Sequence, residues 1–364
     1  MKSIIKEKIP MKICKAFVVC LSALLFAVLG CNIPGEQTTS SEAGTKANSS
    51  SSPGVGSSEN SQPETFWSVS MVTEKVGYAV TKNFHLLRTE NGWVSCMDVL
   101  ILRNPAADSG NPAVFALNEN TVYAAFFTDS GIEIEKSADA GKSWSKSRIK
   151  MQTDAFGSGY GGSLALSFIG ASEGFLLSSG LPAAGQMEKA LYWATGRGNA
   201  WSFVGRSQNP QSGSKKMAGI NGYTTGMSFF GSGAGYITCT YHGQKEISVY
   251  RTNDNGESWS SVAPPIPGGY TSLVHDDYYA DAYPPAVYGK SRWSAKMELY
   301  FCHGEQRVPY IYSTRDGGAT WKIDGRSNLL MRSYCFTDEQ NGFGLDEYGV
   351  LYNTKNGGFN WIKV

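Results

Sequence analysis

The chain has 364 residues, 41% hydrophobic and only 17% charged, with a formal net charge of +1. That balance excludes a general nucleic-acid binder, which would carry a basic excess or stripe, and the absence of heptads or a Gly-X-Y period excludes coiled coil and collagen. Forty-two Gly, 17 Phe, 19 Tyr and nine Trp indicate many tight turns and aromatic strands, as in sandwiches, barrels and propellers.

Lys2, Lys6, Lys8, Lys12 and Lys15 precede an apolar run from Ala16 to Gly30 that only Ser22 interrupts. The run has the length of a secretory h-region and is short of the ~20 residues of a transmembrane helix. It ends in Val28-Leu29-Gly30-Cys31, which resembles a bacterial lipobox, with Val28 where that pattern prefers Leu. The resemblance implies a signal peptide over 1–30 and a lipidated Cys31. It also implies residence in the bacterial envelope, on the extracytoplasmic side of a membrane reached through the Cys31 lipid. Met11 is an alternative start, since Lys12 and Lys15 would by themselves supply the positive charge.

Residues 31–63 follow as a tether rich in Ser, Thr, Gly, Asn and Glu, too poor in apolar side chains to offset the entropy of ordering. Without residues 1–30 the chain keeps 27 basic and 30 acidic groups, so charge gives it no reason to lie on an anionic membrane. Four cysteines remain beyond Cys31: Cys96, Cys239, Cys302 and Cys335. None forms a CxxC pair, which disfavours a zinc ribbon or thioredoxin-like site. They read as buried thiols or, in an oxidising compartment, as disulfide partners, with Cys302 and Cys335 the first pair to compare.

From residue 64 onward one pattern repeats. It reads Ser137-Ala-Asp139-Ala-Gly141-Lys-Ser143-Trp144, then Thr252-Asn-Asp254-Asn-Gly256-Glu-Ser258-Trp259, then Thr314-Arg-Asp316-Gly-Gly318-Ala-Thr320-Trp321. A fourth copy, Thr354 to Trp361, has Asn356 in place of Asp and keeps Gly358. Two eroded copies lie at Thr89–Cys96, with Cys where Trp belongs, and at Ala194–Trp201, which lacks the Asp. An Asp or Asn can accept backbone N–H bonds inside a tight turn, Gly takes the positive-φ position, and Trp pins the hairpin.

The pattern resembles the Asp box of the bacterial neuraminidase repeat. Each copy is preceded by apolar strands, often one beginning Gly-aromatic, as in Gly77-Tyr78, Gly174-Phe175, Gly235-Tyr236 and Gly342-Phe343. Four strands per repeat make one propeller blade. Residues 64–364 then give about 50 residues per blade for six blades, within the range of propeller repeats. The expected fold is all-β, a six-bladed β-propeller of four-stranded antiparallel blades, with seven blades the lesser alternative. The ring must close where Thr65–Met71 meets the end of the chain, Trp361–Val364.

Resemblance to the sialidase-type propeller implies that the box turns lie away from the ligand. The ligand face would carry the loops between second and third strands and those between blades. Thr240–Glu246, His303–Val308 and the long Pro264–Pro285 loop fall in these sets, which places His242, His275, Asp277, Tyr278, Asp281, His303, Glu305 and Arg307 there, with His85 beside one. Aromatic rings among Asp, His and Arg suit a carbohydrate or a peptide. The three His are 33 and 28 residues apart with no HxxxH or HxH spacing, so neither a metal nor a cofactor is expected.

The sialidase catalytic set is not recognisable: no Arg precedes the first strand, and Arg307-Val308-Pro309, similar to the Arg-Ile-Pro motif, lies in the fifth blade. Over residues 66–364 the chain more closely resembles non-enzymatic propellers of photosystem II assembly-factor type, which are binding platforms. The expected function is that of a monomeric, lipid-anchored binding or scaffold module for a protein or glycan, with no nucleic-acid partner. The alternative is an extracytoplasmic glycoside hydrolase or lyase using Asp277 or Asp281 with Glu305.

Overall fold

The computed structural model of the protein describes residues 64–102, 110–150, 161–182, 185–207, 216–231, 233–241, 247–270, 278–303 and 306–364. The expected signal peptide, Cys31 and the tether lie outside them. Blade one is β1 (Phe66–Met71), β2 (Gly77–Thr81), β3 (His85–Thr89) and β4 (Met97–Ile101). Blade two is β5 (Ala113–Ala116), β6 (Val122–Thr128), β7 (Gly131–Ser137) and β8 (Ser145–Lys150). Blade three is β9 (Gly161–Phe168), β10 (Gly174–Gly180), β11 (Lys189–Thr195) and β12 (Ala200–Arg206). Blade four is β13 (Tyr223–Phe229), β14 (Gly235–Thr240), β15 (Val249–Thr252) and β16 (Ser260–Ser261). Blade five holds β17 (Tyr278–Ala282), β18 (Ala286–Tyr288), β19 (Ser294–His303), β20 (Gln306–Thr314) and β21 (Lys322–Arg326). Blade six is β22 (Ser333–Phe336), β23 (Gly342–Leu345), β24 (Leu351–Thr354) and β25 (Ile362–Lys363).

Each blade is a separate antiparallel sheet in chain order. The first strands pack on one another around the ring, β1 on β5, β5 on β9, β9 on β13, β13 on β18, β18 on β22 and β22 on β1. The fold is a six-bladed β-propeller, as the repeat predicts. Among the described residues no helix is long and apolar enough to cross a membrane.

The strand sequences follow from this stacking. A middle strand is covered on both faces by neighbouring blades, so it reads as an unbroken apolar run instead of alternating. Gly77–Thr81 is buried throughout, and Val122–Phe127 likewise. Outer strands face solvent and carry the charge: Ser145–Lys150 buries only Ile149.

The recurrent turn joins the third and fourth strands, and its hydrogen bonds explain its residues. In blade two Asp139 Oδ1 accepts the Ser143 amide at 2.9 Å, and the Ser137 hydroxyl accepts the Gly141 amide at 2.8 Å. Blades four, five and six repeat both bonds with Asp254, Asp316 and Asn356. The glycine two residues after the Asp or Asn of each turn has positive φ, for example 86° at Gly256 and 78° at Gly318. A Cβ there would stand 2.6 Å from Leu191 or from Tyr236 on the preceding blade. Gly is therefore required twice, for conformation and for the approach of one blade to the next.

The eroded copies keep the fold by other means. Ser95 donates its amide to Asn91 Oδ1 at 2.9 Å, while Trp93 takes the glycine position with φ 71°. Its ring lies 5.7 Å from Phe66. In blade three a 3-10 turn, Gly196–Gly198, replaces the Asp-centred one, and Trp201 Nε1 donates to Ser147 Oγ of blade two at 3.1 Å.

Ring closure corrects one expectation. Blade one does not meet Trp361–Val364; β25 is the outermost strand of blade six, paired to β24. It meets β22, β23 and the turn before β24. Phe66 donates its amide to Gly349 O at 2.9 Å, Met71 to Cys335 Sγ at 3.3 Å, and Lys82 Nζ to Tyr348 O at 2.6 Å. Val69, Met71 and Leu87 share a core with Phe343, Leu345 and Leu351. Among the described residues no strand is exchanged between first and last blades, so these hydrogen bonds and the shared core close the ring.

Candidate functional site

Antiparallel strands put the loops between second and third strands, and those between blades, on the face opposite the recurrent turns. On that face the structure revises several expected positions. Tyr278 and Asp281 do not lie on an inter-blade loop; they belong to β17, the innermost strand of blade five. His303 ends β19 and pairs in register with Tyr278, and Arg307 lies within β20 opposite Cys302. The run Tyr278–Ala282 is β-competent text, and the Pro284-Pro285 pair, which cannot donate ladder bonds, interrupts it before β18 resumes the same edge. His242, His275, Asp277 and Glu305 lie outside the described residues. His85, beside the expected face, pairs through Nδ1 with Asp98 of its own blade.

Strand parity sorts the side chains of blade five. Ala280, Ala282, Leu299 and Phe301 pack against Tyr236 and Val249 of blade four. Tyr279, Asp281, Cys302, Tyr300 and Arg307 share the other face through the pairings Tyr279↔Cys302, Asp281↔Tyr300 and Cys302↔Arg307. That face looks toward blade six, because the Tyr300 hydroxyl donates to Met331 O.

The seam between blades five and six differs from the others. Its buried apolar cluster is Met331, Phe336 and Trp361, whereas the seam of blades four and five carries residues such as Phe230, Leu299, Phe301 and Trp321. Polar side chains fill the difference. Lys296 is 4% exposed and stands where other second strands carry an aromatic ring; its Nζ donates to Asp324 Oδ2 at 3.2 Å. Glu298 is 1% exposed. Toward the face opposite the recurrent turns the seam ends in Tyr279, Asp281 and Arg307 from blade five, with Arg332 and Glu347, 3.4 Å apart, from blade six.

Electrostatics tie these groups together. Burial first, then the Cys302 contact and the Asp281 charge, raise the Tyr279 phenol, while Arg307 opposes the shift. Burial pushes the Cys302 thiol up to about 11. Burial lowers Arg307, but Tyr279, Cys302, Glu347 and Asp281 outweigh it and leave the guanidinium above its ordinary value. The arrangement can present hydrogen-bond donors, a fixed positive charge and carboxylates at one site. Among the described residues no three His, Cys, Asp or Glu gather closely enough to hold a metal ion.

Of the residues singled out in the sequence, Asp281 and Arg307 therefore come together. Tyr279, Arg332 and Glu347 complete the cluster and were missed. The parity of Tyr279 and Asp281 within β17, continued by Tyr283 just after it, was the available signal. The four cysteines Cys96, Cys239, Cys302 and Cys335 are free thiols, so Cys302 and Cys335 form no bridge.

The chain is thus a β-propeller with a polar seam. No family model matches it, and no curated protein matches it in sequence. Among solved structures it is similar to an oligogalacturonate lyase from Vibrio parahaemolyticus, at 8% identity over 83% of this chain and 77% of that one, TM-score 0.50. It is also similar to YCF48 bound to D1 peptide, at 19% identity, 80% and 79% coverage, TM-score 0.44. A third is the SapL1 lectin in complex with alpha methyl fucoside, at 13% identity, 83% and 95% coverage, TM-score 0.47. These neighbours are β-propellers, and at such identities the likeness concerns the fold alone.

Proposed function

We propose that this protein is a non-catalytic binding module, held at a bacterial membrane on its extracytoplasmic side, that engages a protein or glycan at the ligand-face end of the seam between blades five and six. The observation that carries the reading is the cluster of Tyr279, Asp281, Arg307, Arg332 and Glu347, in a seam whose apolar filling is reduced. Fixed guanidinium and carboxylate groups on a rigid wheel orient a ligand's polar groups, and a phenol ring covers an apolar face. The hydrogen bonds of the four well-kept turns support reading them as Asp boxes of the neuraminidase repeat, elements of the scaffold and not of the site. Val28 to Cys31, preceded by a charged and then apolar stretch, supports lipid attachment at Cys31.

The test is retention of the purified protein on arrays of labelled oligosaccharides and of peptides, with cleavage scored in parallel. Retention that falls at least tenfold in Arg307→Ala and Arg332→Ala, without cleavage, is the expected result. Turnover of any oligosaccharide would replace this reading with the hydrolase or lyase alternative. Retention unchanged in both variants would remove the seam from the site. Metabolic labelling with a radiolabelled fatty acid, lost in Cys31→Ala, tests the anchor separately.

A further inference from the structure

We propose that Glu298 is a proton-sensitive latch that holds blades five and six together while its carboxyl is neutral. The latch stands whether or not the cluster above it binds a partner.

Glu298 sits midway along β19, where the Pro284-Pro285 interruption leaves the second strand without a regular inner neighbour. Its backbone is satisfied by the next blade and by the break itself. The Glu298 amide donates to Tyr334 Oη at 2.7 Å, and Glu298 O accepts the Tyr283 amide at 3.0 Å. The Tyr334 hydroxyl in turn donates to Tyr283 O at 3.4 Å. The side chain crosses the seam: Oε1 accepts the Met331 amide at 3.4 Å, and Oε2 is buried with no hydrogen-bond partner among the described residues. Tyr300, two residues on, closes the same joint by donating to Met331 O.

The groups facing this carboxyl are phenols and backbone. Tyr283 comes from the break after β17, Tyr300 from β19 itself, and Tyr334 from β22. Arg332, Asp281 and Arg307 act on those phenols from the ligand-face end. No Lys or Arg forms an ion pair with Glu298 among the described residues. A buried carboxylate with one long amide bond and no cation is far less stable than its acid form. Burial accordingly holds the carboxyl well above its ordinary value near 4.5, against the small opposing effect of the Met331 amide.

The consequence has a definite sign. Below the unfolded value near 4.5 both states hold the proton, and the neutral latch contributes fully. Above it the unfolded chain releases a proton that the folded chain keeps. Folding is then weakened tenfold per pH unit until the folded value is reached. Beyond that value the carboxylate appears inside the seam. Of the parts it would displace, Met331 adjoins Arg332 and Tyr283 lies two residues from Asp281, so the ligand-face end moves with the joint.

The experiment compares folding stability of the wild type and Glu298→Gln from pH 5 to pH 9 by denaturant titration. The amide keeps the shape and cannot ionise. The expected result is a wild-type folding constant that declines relative to the variant by about tenfold per pH unit over part of that range. Parallel profiles would overturn the proposal. Should the variant not fold, carbon-13 NMR of wild-type protein labelled at the Glu side-chain carboxyl decides the matter. A Glu298 signal that keeps its acid form to higher pH than the other glutamates is expected, and one that ionises together with them would overturn the latch.

Discussion

Trp321 Nε1 donates to the hydroxyl of Tyr236 at 3.2 Å, with the two rings nearly perpendicular at 86° and their centres 5.8 Å apart. Trp321 closes the recurrent turn of blade five, and Tyr236 is the second residue of β14, the second strand of blade four. The Tyr236 hydroxyl passes the bond on to Gly318 O in the same turn. One phenol thus fastens a whole turn to the neighbouring blade, which is why a turn motif and an aromatic strand start recur together in the sequence.

Tyr236→Phe removes this hydroxyl and leaves a buried indole N–H and a carbonyl without their partner. Such a loss costs about 1–3 kcal/mol. Trp321→Ala also removes the ring and is expected to cost about 3–5 kcal/mol. Urea unfolding of the single and double variants checks both, with the double variant less destabilised than the sum because the two side chains share a bond.

Gly318→Ala adds strain to crowding, since its φ is 78° and the new Cβ would meet Tyr236 at 2.6 Å. Each effect costs of order 1–3 kcal/mol. Gly170→Ala, where a Cβ meets nothing within 4 Å, is the control and is expected to leave the unfolding midpoint almost unchanged.

Acid stability should depend on the turn carboxylates. Bonds from the Ser143 hydroxyl and amide, then from Ser137, hold Asp139 down to about 2. Asp316 is also held at about 2: desolvation would raise it, but Thr320 and Thr314 outweigh that effect. A depressed folded value means that the contribution is present above the unfolded value near 3.8 and is lost as pH falls toward 2. Asp139→Asn with Asp316→Asn is therefore expected to flatten the acid-unfolding curve between pH 4 and pH 2. Blade six already carries Asn356 in this role and does not titrate there.

Thiol reactivity separates the four cysteines. Cys96 is exposed, whereas burial pushes Cys239, Cys302 and Cys335 each up to about 11. A colorimetric thiol reagent at pH 8 is expected to modify Cys96 in the native protein and the other three only after denaturation. Mass spectrometry of the native adduct identifies the site, and a Cys302–Cys335 bridge would appear as two missing thiols.

The repeat makes the wheel legible in the sequence alone. Asp139, Asp254 and Asp316 with their glycines and tryptophans specify local turns, and the recurrence of such turns at one point in each repeat determines blade number, strand order and which loops share a face. These are short-range facts, set by backbone conformation and hydrogen bonds within eight residues. The seam was not legible in the same way. Whether Tyr278 or Tyr279 faces blade six depends on register, and β17 looked like a loop because Pro284-Pro285 follows it. Glu298 and Lys296 sit inside an otherwise apolar strand, and only the neighbouring blade decides that the carboxyl meets Met331 while the ammonium meets Asp324. Ring closure was equally hidden, since Met71 and Cys335 are distant in sequence and meet through a tertiary hydrogen bond, which leaves no motif behind.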